Sequence, residues 1–218
     1  MSAPGNGSGR IPLVESLRTL RAARRDDDIV ITTMGSAREW MRLGDPHPLD
    51  IVLVPSAMGH GTSIGLGLAL ARPDKRVIVC MGDGSLLMNL GSLASIIAAG
   101  VRNLVVILFD NGVYEVTGLQ PTAGASAARG GARSVDFSAI ASATGFDSVH
   151  RCGSAETWTR EVSRMIASPG PTFIALDIEP VPDGTAPHSP GPAPERARRF
   201  MAALEQSGTV GIRSSPQS

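Results

Sequence analysis

The chain has 218 residues, of which 42% are hydrophobic and 18% charged, a balance that can bury a sizeable core and excludes a wholly disordered chain. Lys plus Arg and Asp plus Glu are each 20, so a net charge of zero removes the bulk electrostatic case for nucleic acid or an anionic membrane surface. Two cysteines, Cys80 and Cys152, exclude a disulfide framework and a four-cysteine metal site, and with no 18-residue apolar run or signal-peptide core the expectation is a cytoplasmic α/β domain with no membrane partner.

Residues 1–12 open with MSAPGNGSG and are expected to be a disordered tail. A helical stretch at 13–24 precedes the β-branched run IVITT at 29–33. Helical stretches at 36–42, 62–71, 86–99, 136–144 and 154–167 then alternate with short apolar runs. Those runs are DIVLV (50–54), RVIVCM (76–81), NLVVILF (103–109) and TFIALDI (172–178). Strands apolar on both faces, separated by helix-length segments, predict a doubly wound, largely parallel sheet with helices on both faces. Right-handed crossovers place the carboxyl ends of all its strands on one edge, where ligands of such sheets bind.

The main domain is expected over 13–179. Between 180 and 194 six prolines fall in fifteen residues, which excludes a helix or an inner strand there. A Pro-rich arm and a final helix of about 194–205 complete the ordered chain, and 206–218 is expected to be a second disordered tail. The Ala/Gly-rich segment 123–134 is expected to be a mobile loop, with Gln120 and Thr122 just before it. Cys80, within an apolar run, is expected to be an inert buried thiol.

Two strand ends carry chemistry. The run 76–81 leads into Gly82-Asp83-Gly84-Ser85 and straight into a helix, while 103–109 ends in Asp110-Asn111-Gly112-Val113-Tyr114. Small residues at a strand-to-helix junction let backbone approach an anion near a helix N-terminus. A carboxylate there would repel a phosphate unless a cation lay between, so Asp83 points to Mg²⁺ or Ca²⁺ bridging protein and diphosphate. The Asn111 carbonyl is placed for a second ligand and the Val113 backbone carbonyl for a third.

Gly-Asp-Gly, 26 intervening residues and then Asn match the diphosphate–metal motif of thiamine diphosphate enzymes. The segment from PSAMGHGTSIG through GDGSLLMNLGSLASI to DNGVYEVTGLQPT resembles the β subunit of sulfopyruvate decarboxylase. It is also similar to the C-terminal half of phosphonopyruvate decarboxylase, with weaker similarity over about 13–205. The resemblance implies the thiamine diphosphate-binding fold, pyrophosphate type, with Mg²⁺ held by Asp83, Asn111 and the Val113 carbonyl. It implies that Gly82, Gly84 and Ser85 line the diphosphate and that Tyr114 flanks the metal loop. Met58 matches the bulky residue that keeps the cofactor bent, and the Gly59 backbone would meet the aminopyrimidine. His60 follows that turn and is a candidate proton donor or partner for an acidic substrate. Asp110 departs from the family's common first Asn. Tyr114 and Glu115 could simply pack or be solvated, and Arg38 reads as a solvated face residue.

What the resemblance also implies is incompleteness. The family's catalytic glutamate lies on a pyrimidine-binding domain, and nothing in this sequence resembles that domain. The expectation is a β-type subunit of a decarboxylase acting on a small acidic 2-oxoacid, sulfopyruvate or phosphonopyruvate. It would work with a pyrimidine-domain α-type subunit, in a hetero-oligomer with two or more copies of each chain. An acetolactate-synthase-like carboligase subunit and a non-catalytic cofactor-binding subunit are the alternatives.

Overall fold

A computed structural model describes residues 10–53, 58–125, 134–182 and 188–208. Strands β1 (Ile29–Thr33), β2 (Asp50–Leu53), β3 (Val77–Gly82), β4 (Leu104–Asp110), β7 (Ser148–Cys152) and β8 (Thr172–Asp177) form one sheet. Its order is β2-β1-β3-β4-β8-β7 and every pairing in it is parallel. A short antiparallel pair, β5 (Val113–Tyr114) with β6 (Gln120–Pro121), lies beyond the tip of β4.

Strand side chains alternate between two cores, as the period-2 pleat requires. Val30, Ile78, Cys80, Val105, Ile107 and Ile174 pack with helices α1 (Leu13–Ala23), α2 (Met34–Arg42) and α7 (Ala155–Ile166). Ile31, Val77, Val79, Met81, Val106 and Phe173 pack on the other face. There the helices are α3 (Gly61–Ala71), α4 (Asp83–Leu87), α5 (Ser92–Ala98), α6 (Phe137–Thr144) and α8 (Ala193–Gln206). Both tryptophans are fully buried with their N–H groups satisfied: Trp158 donates to the Ser16 carbonyl at 3.0 Å and Trp40 to Asp50 Oδ2 at 2.8 Å. A buried indole left without that acceptor would forfeit the benefit of its own burial.

Helix starts follow local capping chemistry. Asp136 accepts from the Ala139 N–H at 2.9 Å and Ser154 from the Thr157 N–H at 3.3 Å, each satisfying one of the orphan donors of a first turn. Ser36 does the same work for α2, accepting from the Thr33 N–H at 3.0 Å and donating to the Cys80 carbonyl at 2.9 Å. That second bond ties α2 to the central strand β3.

The alternating architecture agrees with the sequence expectation, with four differences. The helix expected over 86–99 is two helices, because Met88-Asn89-Leu90-Gly91 makes successive turns instead of a continuous ladder. Strand β7 lacked an apolar run: SVHRC places polar side chains on an exposed edge. The β5–β6 hairpin is too short for any periodicity. Finally, Ile11, within the expected tail, is fully buried and bridges Ile178 beside β8. Residues 126–133 of the loop expected at 123–134, and residues 183–187 of the Pro-rich arm expected at 180–194, lie outside the described residues.

Candidate functional site

The tips of β3 and β4 are neighbours, because their ladder pairs Val77–Gly82 with Leu104–Phe109 without a break. Asp83 and Asn111 therefore emerge side by side, 28 positions apart in sequence. The backbone N–H groups of Gly84, Asp83 and Asn111 lie near the Asp83 carboxylate and favour its charged form. The Thr122 hydroxyl, fully buried, donates to Asp83 Oδ2 at 2.7 Å.

Asp83 is 1% exposed, and no cationic side chain pairs with it among the described residues. Burial pushes its carboxyl above the ordinary carboxylate range, and the Thr122 hydroxyl and surrounding N–H groups oppose the shift without cancelling it. A buried carboxylate held by neutral donors alone is an unfinished charge balance. A hard divalent cation completes it and takes oxygen ligands of this kind. The residues present thus fit a Mg²⁺-type ion.

Asn111 is oriented by its neighbours. Its Nδ2 donates to Glu115 Oε1 at 2.7 Å, and its Oδ1 accepts from the Val113 N–H at 2.9 Å. One lone pair of Oδ1 remains for a cation.

Beside these groups lies a cavity of about 320 Å³. Met58, Gly82, Asp83, Gly84, Ser85, Asn111, Val113 and Tyr114 all line it. So do Met34, Gly35 and Ser36 from the start of α2, which the sequence reading did not single out. Met34 has φ 51°, a left-handed conformation that non-glycine residues adopt seldom and mostly where function requires it. Ser85 Oγ accepts from the Gly59 N–H at 3.0 Å, which leaves its own proton free to donate. Gly84 is required by Tyr114: a Cβ there would overlap the tyrosine ring.

His60 does not join this group. It is exposed, lies outside the cavity lining, and its Nδ1 meets the Met58 carbonyl at 2.9 Å. The expectation of a solvated Arg38 is also corrected. Arg38 is 5% exposed and pairs with Glu39 at 2.7 Å and Glu115 at 3.0 Å. Of the two alternatives for Glu115, packing holds: its side chain is 6% exposed, and the residue lines the cavity. The bonds of Thr122 to Asp83 and of Arg38 to Glu115 had no local signal, since these partners lie 39 and 77 positions away. Cys80 is fully buried and its thiol is pushed far up by desolvation, as expected of an inert core thiol.

Ligands of open parallel sheets bind at this carboxyl edge, so the fold and cavity define a cofactor-binding α/β domain. Residues 31–176 match the family model described as Thiamine pyrophosphate enzyme, C-terminal TPP binding domain, and the chain belongs to that family. It is 38% identical over 201 residues to a phosphonopyruvate decarboxylase of Streptomyces viridochromogenes, covering 91% of this chain and 48% of that protein. It is 35% identical over 156 residues to the sulfopyruvate decarboxylase subunit beta of Methanothermobacter thermautotrophicus, covering 71% of this chain and 76% of that one. The chain thus spans about half the length of the phosphonopyruvate decarboxylase. A solved protein of Mycobacterium smegmatis, described as thiamin diphosphate-dependent, shares the fold with a TM-score of 0.63. That match has 18% identity and covers 78% of this chain and 32% of that one.

Proposed function

We propose that the chain is the diphosphate-binding subunit of a thiamine diphosphate-dependent decarboxylase. Its substrate would be an acidic 3-substituted pyruvate of the sulfopyruvate or phosphonopyruvate type. The observation that carries this reading is the buried Asp83 carboxylate, ringed by neutral donors and set beside an oriented Asn111 amide at the mouth of an apolar cavity.

In this reading Asp83, Asn111 and the Val113 carbonyl hold Mg²⁺. The N–H groups of Gly84 and Ser85 and the Ser85 hydroxyl bind the diphosphate. Met58 wedges the cofactor, with the Gly59 backbone beside its pyrimidine ring, and Tyr114 walls the metal loop. When bound, thiamine diphosphate supplies the electron sink that allows carbon dioxide to leave a 2-oxoacid. The apolar lining excludes water and strengthens the electrostatic grip of the few polar groups.

No described residue in the cavity is a free carboxylate suited to the pyrimidine side, since Asp83 and Glu115 are both engaged. A second chain carrying a pyrimidine-binding domain is therefore assigned the catalytic glutamate. Support for a partner comes from the β-subunit names of several relatives. It comes also from Met88 and Val116, which line the cavity and remain 59% and 38% exposed, apolar surface of the kind that marks an interface.

The test is co-expression with an α-type chain and assay of 2-oxoacids for aldehyde release. We expect turnover of a sulfonated or phosphonated oxoacid by the pair, none by this chain alone, and a loss of at least about a hundredfold in Asp83→Asn. Full activity of the pure single chain would overturn the two-chain reading. Carboligation without aldehyde release would favour the acetolactate-synthase-like alternative.

A further inference from the structure

A buried ion pair stands directly behind Asn111. Glu115 Oε1 accepts two bonds, from Asn111 Nδ2 at 2.7 Å and from the Val181 N–H at 3.0 Å. Glu115 Oε2 accepts from Arg38 Nη2 at 3.0 Å. Arg38 also donates through Nε to Glu39 Oε1 at 2.7 Å, and Glu39 is held in turn by Arg42. The side chains of Arg38, Glu39 and Glu115 are each only 5–6% exposed. The backbone has been cleared to admit the pair, since a Cβ on Gly35 would stand 3.0 Å from Glu115 Oε2.

Such burial is costly, and a hydrophobic pair of the same volume is commonly at least as stable. The arrangement has a chemical consequence that packing alone would not need. An amide side chain can point either its oxygen or its nitrogen at a given target. Glu115 is an acceptor only, so it takes the Asn111 nitrogen and leaves the oxygen as the atom presented on the opposite side. Arg38 and the Val181 N–H hold that carboxylate in place.

We propose that Glu115, fixed by Arg38, is a positioning residue that sets the orientation of the Asn111 amide so that its oxygen serves the divalent cation. This rests on the reading of Asp83 and Asn111 as metal ligands. Glu115 acts through Asn111, and α2 becomes part of the cation site although none of its side chains touches the ion.

The test compares full-length variants that both lack the Arg38–Glu115 charge pair, with Glu39 keeping Arg42 as its partner, so that the two differ only in the group facing Asn111. Arg38→Met with Glu115→Gln keeps an acceptor for Asn111 and Val181. Arg38→Met with Glu115→Leu removes it. Mn²⁺ is titrated into each protein with excess thiamine diphosphate, and free Mn²⁺ is read by electron paramagnetic resonance. Circular dichroism confirms that each variant is folded. The Gln variant is expected to bind within a few-fold of wild type and the Leu variant about tenfold or more weaker, the range typical for partners of metal ligands. Equal affinities for the two double variants, with Asp83→Asn still abolishing binding, would overturn the positioning role and leave the metal site standing. No Mn²⁺ binding by wild type, or undiminished binding by Asp83→Asn, would remove the metal site and this role with it.

Discussion

Asp110 shows how closely charge is rationed around the strand tips. Burial, then Asp83 and Asp177, push its carboxyl up to about 6, against the opposing fields of Arg10 and Arg151. An unfolded chain would titrate it near the ordinary aspartate value of 3.8. Between those values the folded protein holds more protons than the unfolded one, so stability falls as pH rises through the window and stays lower above it. Asp110→Asn should therefore raise the melting temperature of the metal-free protein at pH 8, by about 2–4 °C for each kcal/mol recovered. At pH 4 the two proteins should melt together. A variant that melts at or below wild type at pH 8 would show that the carboxylate is not a net cost. At this scale the sequence was informative where residue type and spacing carry the chemistry, as at Asp83, Gly84 and Asn111. It drew attention to Thr122, Arg38 and Glu115 but not to the bonds Thr122–Asp83 and Arg38–Glu115, which exist only once distant segments meet.

Among the elements, α8 shows how a terminal helix is fastened to the sheet. Its C-terminal carbonyls lack partners within the helix. Arg72 donates to the Leu204 carbonyl at 2.6 Å and Lys75 to the Ser207 carbonyl at 2.8 Å, both cations complementing the negative end of the helix dipole. Lys75 is the chain's single lysine and is 3% exposed. Phe200 seats the same helix in the core it shares with β3 and β4. Replacing Lys75 by Met should lower unfolding free energy by about 1–2 kcal/mol, read from urea melts, and should speed proteolysis within α8. An unchanged urea midpoint would mean that the bond is replaced by water. The sequence placed a final helix at about 194–205, close to the observed α8, but not its fastening. Strand β7 and the β5–β6 hairpin escaped for the opposite reason: an exposed edge strand and a two-residue ladder leave no apolar run to read.

For the molecule as a whole, the alternation of apolar runs and helical stretches was enough to specify a parallel, two-faced sheet and the edge that carries the cavity. The order of strands was not legible, because each run is equally apolar and nothing local distinguishes a centre from an edge. What fixes the relation of Asp83 to Asn111 is the uninterrupted six-residue register between β3 and β4, with both strands buried on two sides. The chain between them, through α4 and α5, only has to return to the start of β4. Gly100 lies on that return with open space around it. Inserting two small residues after Gly100 should therefore change stability by no more than about 1 kcal/mol and leave Mn²⁺ affinity within a few-fold of wild type. A large loss of affinity with the fold intact would show that the connection also holds the geometry.

The ladder thus behaves as the frame of a caliper, and the slack in the crossover is confined to the turn at Gly100. The gap between the two jaws is set by backbone pairing that side-chain substitution hardly touches. A change of length far from the strand tips can then be absorbed while the spacing between Asp83 and Asn111 stays as the ladder sets it.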